Sequence, residues 1–211
     1  MKKLLAISLL FVAGAANATL LTSNPGYSVT DDFSSREGSG YNFLQAPVDM
    51  GDYTISCNNY GFSNGNCLAG QGGYGFGGNG YWNNGRGGYA AVNSRSASMT
   101  MMFDFALSGV GGFFNYAPYH YGTPIIAALD SLGNVLESHV LSINVSGANN
   151  GRFFAIDRAA GDIWGFRMSN AYLAVDNLTY GRATDVPLPG TLGLVIAAAM
   201  GLFLRKRLAK A

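Results

Sequence analysis

From Ser96 onward the chain alternates between apolar and polar positions. In Ala97–Phe105, Met99, Met101, Phe103 and Phe105 fall on one face and Thr100 and Asp104 on the other. This is the period-2 pattern of a half-buried strand. Strands are likewise predicted at Val110–Tyr116, Pro124–Leu129, Val135–Ile143, Arg152–Ile156, Ile163–Met168 and Leu173–Tyr180. Two earlier runs, Tyr27–Phe33 and Tyr53–Cys57, share the character, and the polar stretch Ser34–Gly40 between them is turn-like. Asp130–Asn134 and Ala148–Gly151 read as turns, with Gly133 placed where a positive φ is needed. No amphipathic helical pattern appears in this part. Many short strands at roughly ten-residue spacing predict an all-β fold, an antiparallel β-sandwich.

The two ends follow different rules. Lys2 and Lys3 precede an apolar stretch, Leu4–Ala16, and Ala16-Asn17-Ala18 supplies the small-x-small pattern of a secretory leader. A signal peptidase is expected to cut between Ala18 and Thr19. At the other end, Val186–Leu204 carries no charge and is closed by Arg205, Lys206 and Arg207. Such a run is long enough to cross a bilayer as a helix, expected over 188–204. Pro187 and Pro189 sit at the helix entrance, and the basic cluster is expected to stay cytoplasmic. The chain thus divides into a leader (1–18), an exported domain (19–183) and a membrane-directed tail (184–211).

The tail resembles the PEP-CTERM sorting signal of exported bacterial proteins. That signal joins a Val-Pro-x-Pro motif, a short apolar helix with small residues and an arginine-rich end. Here the motif reads Val186-Pro187-Leu188-Pro189, with Leu188 where the family's commonest form has Glu. The resemblance implies anchoring in the inner membrane, then removal or exchange of the helix by an exosortase. It also implies a place at the cell surface, among exopolysaccharide or biofilm matrix. Without the motif the same run would make an ordinary single-pass anchor. Residues 96–181 also resemble the ectodomains of many PEP-CTERM proteins, through Phe103-Asp-Phe, Gly111-Gly-Phe-Phe-Asn-Tyr116, Leu129-Asp-x-x-Gly-Asn-Val135 and Val175-Asp-Asn-Leu-Thr-Tyr180. Those are similar to jelly-roll, galactose-binding-like sandwiches. In such folds an acidic residue near the last strand helps hold a structural Ca²⁺, which makes Asp176 a candidate ligand, with Asp32 or Asp31 as partner. A solvated or turn-bonding Asp-Asn pair is the plainer alternative.

Charge partition sharpens the export reading. The formal net charge is +1, yet every lysine lies in the leader or the tail. Thr19–Asp185 holds seven arginines against all twelve acidic residues, a net of about −5. Such a body offers no basic patch to a phosphate backbone, so no nucleic-acid partner is expected. Cys57 and Cys67 enclose a short polar segment, and in an oxidising compartment the pair reads as a disulfide.

From Asn58 to Gly88 the composition turns to Gly, Asn, Tyr and Phe, with Arg86 the sole charge. A long loop over about 58–90 is expected, because glycine at this density is costly to order. Its aromatics, notably Tyr74, Tyr81 and Trp82, would either tack the loop to the domain or stack on sugar rings. Gly61-Phe-Ser63-Asn-Gly65 matches the nucleophile elbow, and Gly75–Gly80 matches a dinucleotide fingerprint. Neither has the strand–helix context its chemistry requires. His120 and His139 form no nucleophile–base–orienter set, and Asp104, Asp157 and Asp162 have no acid/base spacing. The resulting reading is a non-catalytic exported surface or matrix protein without cofactor, apart from the candidate Ca²⁺. The alternatives are a carbohydrate-active hydrolase on a lectin-like sandwich and a self-associating structural matrix protein.

Overall fold

Tyr53, Ile55 and Cys57 alternate with Thr54 and Ser56, and this run forms a strand whose burial alternates in step. A computed structural model describes residues 18–36, 43–60, 67–70, 88–116, 122–142 and 151–183. Its strands are β1 (Ala18–Leu21), β2 (Val29–Asp31), β3 (Val48–Asp49), β4 (Tyr53–Cys57), β5 (Cys67–Gly70), β6 (Tyr89–Tyr116), β7 (Ile125–Leu129), β8 (Val135–Val140), β9 (Arg152–Arg158) and β10 (Ile163–Arg182). A single 3-10 turn at Ser34–Arg36 is the helical element among the described residues. The architecture is all-β and mostly antiparallel, of sandwich or barrel type. The leader and tail helices expected from sequence lie outside the described residues.

All ten strands belong to one hydrogen-bonded network, whose main path runs β1-β9-β6-β10-β7-β8. The two long strands give it depth. Gly165–Ser169 of β10 lies beside Ser98–Met102 of β6, and Asp176–Arg182 beside Leu107–Phe113, with numbers falling on one strand as they rise on the other. Leu173 faces both Val92 and Tyr116. Both strands therefore serve two halves of the sheet, with repeated register shifts along the pair. Bulges bend strands and let them pass from one packed layer to another.

Sequence pattern had divided each of these long strands in two. At 106–109 the chain carries the turn dipeptide Ser108-Gly109, yet the ladder continues through it, with Leu107 and Gly109 both paired to β10. At Ser169-Asn170 the break is local: Asn170 takes a left-handed φ of 67° and its amide donates to the Thr123 carbonyl. The expected loop over 58–90 also needs correction, because β5 lies within it and β6 begins at Tyr89. Cys67–Gly70 is buried throughout and pairs with Tyr89–Val92. A four-residue strand inside a glycine-rich composition leaves no periodic signal.

Met99, Met101 and Phe103 are buried as their alternation predicts, Phe105 is half-buried against the same core, and Asp104 is exposed. With Ile55, Phe114, Ile126, Ile156 and Phe166 they fill one apolar interior. A second, smaller cluster lies on the opposite side of β6 and β10, where Leu68, Tyr89, Ala91 and Ala174 are buried with Phe43 and Phe113 against them. The Asp130–Asn134 turn forms as expected. Gly133 has φ 82°, and Asp130 Oδ1 accepts from the amides of Leu132 and Asn134.

Candidate functional site

One end of the core holds an aromatic–carboxylate cluster assembled by strand register. Tyr53 lies opposite Phe103, with ring centroids 5.1 Å apart, and Phe103 meets Tyr180 of β10 at 4.9 Å. The Tyr53 hydroxyl donates to Asp31 Oδ2 at 2.6 Å, and the Tyr180 hydroxyl to Asp52 Oδ2 at 2.9 Å. Arg182 reaches the same Asp52 oxygen at 3.2 Å while its guanidinium sits 4.0 Å from the Phe105 ring centre. Burial first, and the neighbouring carboxylates second, hold both phenols above the ordinary tyrosine range. They are thus proton donors at neutral pH and are tied to fixed acceptors. Asp31 is doubly engaged, since its Oδ1 takes the amide of Phe33 at 2.7 Å and supports that residue's positive φ of 57°.

Of the three carboxylates named as calcium candidates, Asp31 is thus taken up by Tyr53 and Phe33, and the other two lie in different surroundings. Asp176 is 3 % exposed on β10, and its Oδ1 accepts the Asn177 amide at 2.6 Å. Asp32 is exposed and caps a turn by accepting from Ser34, whose hydrogen bonds draw its carboxyl below the ordinary range. Among the described residues no three His, Cys, Asp or Glu side chains converge in a metal-holding group. The structure does not gather Asp176 and Asp32 into such a set.

Asp176 instead shares a face with the smaller apolar cluster. It pairs with Phe113, and Ala174 pairs with both Asn115 and Ala91, so these side chains stand on the side away from the main core. Phe113 packs edge-on to Phe153 at 5.5 Å. Tyr89 joins this face opposite Gly70, where the described chain breaks off before re-entering at Gly88. Tyr74, Tyr81 and Trp82 fall in the intervening residues, outside the described ones. So do Ser63, His120, Val186, Pro187, Leu188, Pro189, Arg205, Lys206 and Arg207.

A further charged chain joins His139, Glu137, Arg158 and Asp162. His139 Nε2 contacts Glu137 Oε1, Glu137 lies 3.7 Å from Arg158, and Arg158 holds Asp162 through bonds of 2.6 and 2.8 Å. The Arg158 hydrogen bonds lower the Asp162 carboxyl, partly offset by desolvation. Asp157 accepts from the Tyr27 hydroxyl at 2.7 Å. Each carboxylate here is a structural acceptor, so the arrangement can orient and cross-link strands.

Cys57 and Cys67 form a disulfide, as their spacing predicts, with Cα atoms 6.1 Å apart. The bridge ties β4 to β5, which pair with different stretches of β6 at Met99 and Val92. Ala18 and Thr19, flanking the expected leader cut, both lie in β1. The carboxylate–phenol cluster had no linear signature, because Asp31, Asp52 and Tyr180 are brought together by pairing between distant strands. Comparison with family models, curated proteins and solved structures finds no match.

Proposed function

We propose that the chain is an exported, non-catalytic bacterial surface or matrix protein built on a jelly-roll-like antiparallel β-sandwich. In this reading a signal peptidase removes residues 1–18, and a helix over 188–204 holds the precursor in the inner membrane. An exosortase then acts at Val186-Pro-Leu-Pro189. The observation that carries it is the Cys57–Cys67 disulfide. Structural disulfides belong to oxidising compartments, and this one closes a lysine-free acidic domain between a leader-like and a tail-like segment. An association with extracellular polysaccharide is supported by Tyr74, Tyr81 and Trp82 in the Gly/Tyr/Trp-rich segment, since aromatic faces suit C–H-rich sugar rings.

Intact mass and peptide mapping of the protein recovered from its own cells test this reading. The expected product begins at Thr19, carries the disulfide and lacks Leu204–Ala211. Retention of Leu204–Ala211 would make the protein a plain single-pass anchor, and free thiols in native material would remove the compartment argument.

Self-association is a second reading, favoured by Leu132, Val135 and Val140. All three are large, apolar and more than half exposed, and they line the β7–β8 hairpin at one end of the sheet path. Exposed apolar edge strands pair with further copies unless blocked.

A further inference from the structure

β1 is the edge strand at the other end of the sheet path, and its register on β9 sets Ala18 opposite Arg158 and Thr19 opposite Asp157. The bond at which the leader is expected to be released therefore lies inside a β-ladder. One row of residues crosses the sheet at this level: Gly181, Gly109, Asp157, Thr19. Tyr27 lies across the two glycines. A Cβ at Gly109 would fall 1.7 Å from its hydroxyl oxygen, and one at Gly181 would fall 2.8 Å from its ring. The same hydroxyl donates to Asp157.

Residues 22–28 thus run as a strap over the sheet, from β1 to β2 on the far side of β10. Asn24 Oδ1 stiffens the strap by accepting from the amides of Gly26 and Tyr27, at 2.9 and 2.8 Å. The four residues of β1 have less to hold them. Thr19 is exposed, Leu20 and Leu21 are half-buried, and Leu20 packs on the core.

We infer that docking of β1 on β9 and cleavage of the Ala18–Thr19 bond compete for the same residues, so their order decides how fast the leader is released. This inference rests on the export reading. Hydrolysis breaks the C–N bond and adds water across it, leaving a carboxylate on Ala18 and an ammonium group on Thr19. A peptidase needs that bond in an extended segment with its backbone groups free. In the docked strand alternate residues turn theirs to β9, so a peptidase that needs the whole segment free must cut through the opened population. Tyr27 pins the rest of the strap, so opening needs only β1 to peel away. A chain that folds before processing releases its leader only as fast as β1 opens, and a chain processed first docks a β1 that starts at Thr19.

The test uses the full-length precursor in detergent with a bacterial signal peptidase, comparing native chain with chain presented unfolded. Native precursor should be cut at least about tenfold more slowly, in proportion to its open fraction. Leu20→Ala, checked by an unchanged near-ultraviolet spectrum and an intact disulfide, should recover much of the unfolded rate. Leu20→Asp, which sets a charge against the core, should recover more. Equal rates for native and unfolded wild type overturn the competition while leaving export standing. If neither form is cut at Thr19, the export reading fails and this inference fails with it.

Discussion

Three tyrosine hydroxyls donate to carboxylates from distant parts of the chain: Tyr27 to Asp157, Tyr53 to Asp31 and Tyr180 to Asp52. Each bond costs the phenol its acidity, because a buried phenolate beside a carboxylate is unfavourable. All three phenols are held above the ordinary value of 10.0. The folded state therefore keeps protons that the unfolded chain releases, so the stability they provide is fully present below pH 10.0 and is lost as pH rises beyond it. An alkaline titration followed at the phenolate band should show these three ionising together with loss of the fold. Stepwise ionisation in a chain that stays folded would contradict the assignment. Tyr53→Phe keeps the ring against Phe103 and deletes the bond to Asp31. It should lower unfolding free energy by about 1.5–3 kcal/mol, the range for a hydrogen bond to a charged group, with an unchanged denaturant slope.

At the scale of elements, the disulfide joins two strands that never pair with each other. β4 and β5 each hydrogen-bond to β6, and the bridge closes the gap between those two attachments. Cys57→Ser with Cys67→Ser should cost about 2–3 kcal/mol by freeing the unfolded chain. β5 should open first, and hydrogen exchange at Leu68–Gly70 should rise before exchange at Tyr53–Cys57. Equal protection of both strands in the variant would count against that order. Much of the strand content was legible in the sequence wherever one face is buried and the other wet, as in Met99–Phe105 and Tyr53–Cys57. It was not legible at Ala106–Gly109, where a Ser-Gly pair reads as a turn but stays in the ladder, or at Ser169–Asn170, where one left-handed asparagine interrupts a long strand locally. Nor was it legible at Cys67–Gly70, where both faces are covered and alternation vanishes. The disulfide was readable from spacing and charge partition. The Asp31–Tyr53 and Asp52–Tyr180 pairs were not, since each needs the sheet order before its partners become neighbours.

For the molecule as a whole, the position of β10 has a mechanical consequence. Arg182 ends that strand, so tension carried by the C-terminal segment enters the domain along it. β10 is flanked on both sides for most of its length, by β6 and β7 near its start, by both arms of β6 in its middle and by β6 and β2 near its end. Its two ends lie together, Ile163 and Arg182 both beside Leu107, so force at Arg182 opens the strand from that end and must break bonds on both of its sides at each step. The N-terminal end meets the opposite condition, because β1 is an edge strand that peels from β9 one bond at a time. Single molecules stretched between Thr19 and Ala183 should therefore give a short, low-force step as β1 releases up to Tyr27, then a separate rupture at higher force as the doubly paired β10 opens. A single low-force rupture would show that β10 does not bear load in this way. A domain held by its C-terminal end would thus take up strain through its best-supported strand and yield first at its far edge.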